Sequence, residues 1–117
     1  MNAGVYALAI LQQPGLTLPA KTVLAETETR TVKEIVALWS EVSKKPAEFV
    51  SVSLEHYDNL WPKWGREVGL MLQYWDHARE KSWDTDDGVI SKTDLGITSM
   101  VDMKEYFAGN DWSKAYH

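Results

Sequence analysis

The chain has 117 residues, 44% of them hydrophobic and 25% charged, with a formal net charge of −5 and no cysteine. The length fits one domain with its own core, and the missing thiols exclude disulfides, thiolate metal sites and cysteine nucleophiles. Twelve basic residues against seventeen acidic ones, scattered along the chain, do not make the concentrated positive surface that nucleic acid requires.

Asn2 to Gln13 reads as a short helix with Val5, Leu8 and Ala9 on one face, stopped by Pro14-Gly15. The segment Val5 to Leu11 is apolar but too short to span a bilayer, and it lacks the basic flank of a secretory signal. Lys21 to Ala25 is a brief β-type run. Thr31-Val32-Lys33-Glu34 is a capping box, in which the Thr hydroxyl takes the N3 amide while the Glu carboxylate reaches back. The helix it opens turns Ile35, Leu38, Trp39 and Val42 inward and ends at Lys44-Lys45, before Pro46. Ala47 to Leu54 alternates Val50, Val52 and Leu54 with Phe49, Ser51 and Ser53, which predicts a strand with one apolar face. Ser53 then caps a short helix through Leu60.

Leu60 to Trp75 holds three of the six tryptophans. Pro62 predicts the first turn of a helix running to about Lys81. Trp64, Val68, Met71, Leu72, Trp75 and Ala78 recur at three and four residues and share one face. Gly65 and Gly69, one turn apart, favour close packing against a neighbouring helix over a ligand groove. Ser82 to Gly88 is a solvated acidic turn, because its glycine and its twelfth position fail the spacing of a calcium loop. Thr93 to Gly96 is a helical turn. Ser99-Met100-Val101-Asp102 caps a last helix ended by Gly109, after which Trp112 folds back onto the body. The expected fold class is α+β: a compact, mostly helical single domain over residues 1–117, with two or three short strands.

Several of these residues carry a family resemblance. Val32 to Val42, Phe49 to Tyr57, Trp61-Pro62-Lys63-Trp64-Gly65 with Gly69-Leu70-Met71-Leu72, and Ser91 to Ile97 resemble the C-terminal half of NmrA-like proteins. The likeness runs from about Val5 to Trp112. It implies kinship to atypical short-chain dehydrogenases, whose N-terminal Rossmann domain binds NAD(P) through a Gly-rich turn. No G-x-G-x-x-G occurs here, so the resemblance implies the substrate-side subdomain alone, with no cofactor and no hydride transfer. A face that the Rossmann half would cover is then left open, and a homodimer is expected, with the N-terminal or the Trp-rich helix in the interface.

The histidines do not have metal-ligand spacing. As acid–base groups, His56, His77 and Glu67 are the candidates, with Tyr57 and Tyr74 as donors to a carbonyl. Trp61, Trp64, Met71 and Trp75 are the candidate walls for an apolar or conjugated small molecule. The expected function is a cytoplasmic, non-redox enzyme of secondary metabolism that cyclises a polyketide-like chain, for example to a pyrone. The alternative is a non-catalytic ligand-binding or regulatory module. No membrane or nucleic-acid partner is expected.

Overall fold

The computed structural model describes residues 2–83 and 88–115, without the side chain of Glu80. Its elements are α1 (Asn2–Gln12), α2 (Pro14–Thr17), α3 (Val32–Ser43), α4 (Leu54–Leu60), α5 (Gly65–Ala78), a 3-10 helix (Arg79–Trp83) and α6 (Met103–Ala108). They fall into two compact units: Met1–Phe49 with Val89–His117, and Val50–Gly88. No described helix is long and apolar enough to cross a membrane.

In the first unit, α1 buries Tyr6 and Ala9 beside Leu95, with Ile10, Val23, Ile90, Ile97 and Met100 packed around them. The tyrosine hydroxyl is satisfied as well as buried: it donates to the Glu26 carbonyl at 2.6 Å and accepts from the Glu26 N–H at 3.2 Å. Asn2 holds α1 to the far end of the chain, its amide donating to the Val101 carbonyl at 2.7 Å and accepting from the Val101 N–H at 3.0 Å. Gln13 breaks the helix and donates to the Leu95 carbonyl, and the chain resumes at once as the one-turn α2. Sequence reading ends the helix at Pro14-Gly15 but misses that turn, because proline is well tolerated in a first turn.

The capping box of α3 forms, with the Glu34 amide donating to Thr31 Oγ1 and the Thr31 amide to the Glu34 carboxylate. Lys44 ends the helix in the left-handed conformation, at φ 59°. Ile35, Leu38, Trp39 and Val42 are half-buried. A second capping box opens α6, between Asp102 and Glu105 and not over Ser99–Asp102 as the sequence predicts, so the helix begins at Met103. Trp112 meets Trp39 and Phe107 edge-on, with ring centroids 5.8 and 5.9 Å apart, and its indole N–H donates to the Phe107 carbonyl at 2.7 Å. The tail therefore folds back through Trp112; Tyr116 and His117 lie outside the described residues.

The strands require correction. Among the described residues there is no sheet, only an isolated parallel bridge between Val23 and Ile90. The Lys21–Ala25 run contributes that bridge and nothing more. Residues 47–53 form no regular structure, and Leu54 begins α4 instead of ending a strand. Alternation shows which side chains could share a face, but a strand exists only where another backbone takes its N–H and C=O groups, and none does here. Phe49, Val50 and Val52 are left exposed. The fold class is helical, not α+β.

In the second unit Ser53 caps α4 by accepting from the His56 amide at 3.1 Å. The Trp-rich helix starts three residues later than Pro62 predicts and stops at Ala78, short of Lys81. The reason is local: Lys63 has φ 103°, a value no helix accommodates, so Pro62 and Lys63 form a turn. The first turn of α5 is instead served from α4, where Asp58 Oδ1 accepts from the Arg66 amide at 3.0 Å. The carboxylate also complements the positive pole of α5.

Candidate functional site

The α4–α5 pair is built around its two glycines, both buried. A β-carbon on Gly65 would come within 2.6 Å of Asp58 Cα and 2.7 Å of the Tyr57 carbonyl oxygen. One on Gly69 would collide with the Leu54 side chain and touch the Tyr57 ring at 3.4 Å. Both glycines therefore admit a neighbouring helix, as their spacing predicts, and leave no ligand groove on that side.

Tyr57 is consequently a packing residue of this contact, half-buried on α4. His56, its neighbour on the same helix, is exposed, and so is Glu67 in the first turn of α5. Tyr74 and His77, one turn apart near the other end of α5, line one open cleft of about 710 Å³ together with Ala78, Arg79 and Lys81. Of the five acid–base candidates, then, the fold brings Tyr74 and His77 to a shared cleft, and it does not bring His56, Tyr57 or Glu67 there.

The four candidate walls are split in the same way. Trp61 and Trp64 lie in the turn before α5 and are 60% and 71% exposed. Met71 and Trp75 lie further along α5, and Trp75 packs against Trp83 with ring centroids 5.8 Å apart and planes tilted by 45°. A helix of 14 residues is about 20 Å long. Trp64 and His77 thus stand at opposite ends, and one small molecule cannot touch both. Of the residues that the sequence groups on one face, Trp64 lies before the helix, Met71, Leu72 and Trp75 are exposed, and the buried positions of α5 are Gly65 and Gly69. The grouped residues do not form one pocket.

Arg79 and Lys81 are the residues that sequence reasoning passes over. The available signal is the alternation His77-Arg79-Lys81 just after an aromatic helix. Arg79 ends α5 at φ 49°, ψ −125°, its amide donating to the Trp75 carbonyl. Neither Arg79 nor Lys81 forms an ion pair with a described residue. Asp84 to Asp87, which the sequence predicts to be an acidic turn, lie outside the described residues.

A second open cleft, about 520 Å³, lies in the other unit between Asn2, Thr27, Val101, Asp102, Met103 and Tyr106. It contains none of the predicted site residues. Carboxylates with lowered pKa values are structural: Glu28 accepts from the Met103 amide and from Arg30, Glu34 accepts from Thr31, Asp94 from Ser91, and Asp111 from Ser113. Hydrogen bonds to the charged form lower each of them. No group of three His, Asp or Glu side chains among the described residues is placed to hold a metal ion.

Comparison with protein-family models, with curated proteins and with solved structures returned no match.

Proposed function

We propose that this chain is a non-catalytic small-molecule-binding module of the NmrA-like kind, working without a dinucleotide in the cytoplasm and paired with a second copy of itself. The observation that carries the binding role is the second unit's surface. Leu60, Trp61, Trp64, Leu70, Met71, Leu72, Tyr74, Trp75 and Trp83 are all exposed, in a unit of about 40 residues, a size that seldom stays folded without outside support. Such a surface is characteristic of one that something occupies. The ligand class is a flat, conjugated molecule, seated at the Tyr74 end of α5, where the cleft lies.

The second copy belongs at the other end, on Trp61 and Trp64. Trp61 and Trp64 are 60% and 71% exposed. An apolar pair of this kind suits a self-complementary interface, and most soluble oligomers are symmetric pairs of one chain. A net charge of −5 argues against a nucleic-acid partner.

One observation favours a catalytic second reading: Tyr74 and His77 share a cleft. In a lactone closure, His77 would take the enol proton, the enol oxygen would attack the thioester carbonyl, and the thiolate would leave and take up a proton. Tyr74 would donate to that carbonyl. Against it, the cleft is open and the other acid–base candidates lie elsewhere.

The experiment that separates the two uses His77→Ala, His56→Ala and Glu67→Gln with the N-acetylcysteamine thioester of 3,5-dioxohexanoate. A binding module closes no lactone above the rate in buffer. Pyrone formation by the wild type that His77→Ala abolishes, with folding intact, would replace the binding reading with the enzyme.

A further inference from the structure

The cleft at the end of α5 combines an aromatic wall with an unusual set of cations. Tyr74 supplies the wall, and His77, Arg79 and Lys81 line the same space. A helix C-terminus normally repels anions, since it carries about half a negative charge. Arg79 and Lys81 flank Glu80, so these three residues carry one net positive charge, which outweighs that half charge.

Arg79 adds an independent observation. Its φ of 49° with ψ −125° belongs to a backbone region that glycine occupies freely and that side-chain-bearing residues avoid. Glycine is the common residue just past a helix end. Here an arginine stands where the backbone favours glycine, and it is among the residues that line the cleft. The guanidinium fork matches a carboxylate in two parallel hydrogen bonds, and it has no ion-pair partner among the described residues.

We propose that this cleft takes a flat conjugated carboxylic acid, its carboxylate held by Arg79 and Lys81 and its ring laid against Tyr74. The proposal rests on the binding reading above and names the ligand class within it: an aromatic or polyenic acid, bound in preference to a neutral molecule of the same shape.

The test titrates the full chain with 2-naphthoate and with its neutral counterpart 2-naphthamide, reading tryptophan emission. Naphthoate should bind at least tenfold more tightly in 50 mM salt, and the advantage should shrink at 500 mM. Arg79→Gly should abolish the advantage while raising the unfolding temperature, because it removes the cation and relaxes the backbone together. Arg79→Lys should keep part of the affinity. Gain of stability with loss of carboxylate preference is a pattern that a purely structural arginine would not give. If both probes bind saturably and equally, or if Arg79→Gly keeps the preference, the anion site is wrong while the apolar binding reading stands. If neither binds, both fall.

Discussion

Gly65 lies directly on the backbone of Asp58, so that a β-carbon there would stand 2.6 Å from the Asp58 Cα. At Gly69 the obstacle is instead the end of the Leu54 side chain, which can turn aside. Alanine should therefore act differently at two positions that look equivalent in sequence. Helix propensity favours alanine by up to about 1 kcal/mol at either site. At Gly65 a backbone must move, and a net loss of about 2 kcal/mol is expected. Gly69→Ala should fall within about 1 kcal/mol of the wild type. Urea unfolding followed by helical circular dichroism compares them; equal losses would mean that α4 and α5 are not packed this closely.

The tail depends on Trp112. Its indole adds two edge-on aromatic contacts and a 2.7 Å hydrogen bond to the Phe107 carbonyl. Each edge-on pair contributes about 0.5–1.5 kcal/mol and the hydrogen bond about 1 kcal/mol. Trp112→Phe, which keeps a ring and loses the donor, should cost about 1 kcal/mol, and Trp112→Ala about 2–3 kcal/mol. Unfolding midpoints of the two variants read the difference directly.

Acid should loosen the first unit. Glu28 has its pKa lowered chiefly by the hydrogen bond from the Met103 amide, and Glu34 by the hydrogen bond from the Thr31 amide. A carboxylate whose folded pKa lies below its unfolded value adds stability that is fully present above the unfolded pKa, about 4.3 for glutamate, and is lost as the pH falls through the folded value. The unfolding temperature should be flat from pH 7 to about 5 and decline below about 4. Glu28→Gln should start lower at pH 7 and decline less steeply. A variant with the wild-type slope would remove Glu28 from the account.

How much of this was legible depends on how local each feature is. The Thr31–Glu34 capping box is written in four residues and does what its spacing predicts. The cap of the last helix is read one turn early, at Ser99, because Asp102 with Glu105 has the same spacing. The Ala47–Leu54 strand was not legible as absent, because alternation is local while a pairing partner is not. Pro62 misplaces the start of α5 because the sequence does not display the positive φ of Lys63. In the site, periodicity groups Trp64 with Trp75 on one helix, but the helix starts after Trp64, and its length sets the two too far apart for one ligand. Arg79 and Lys81 were passed over since their role comes from where α5 stops.

Pairing is tested by Trp61→Ala with Trp64→Ala. The wild type should sediment as a dimer at micromolar concentration, and the double variant as a folded monomer. A wild type that stays monomeric at hundreds of micromolar would remove the second copy.

The binding role stands or falls with a flat conjugated molecule seated at the Tyr74 end of α5. Its most direct measurement is a titration with the neutral probe 2-acetylnaphthalene, read by tryptophan emission in the wild type and in Tyr74→Ala. Saturable one-to-one quenching is expected, with an affinity at least tenfold weaker in the variant. Quenching that rises linearly without saturation, or that is unchanged by Tyr74→Ala, would contradict it.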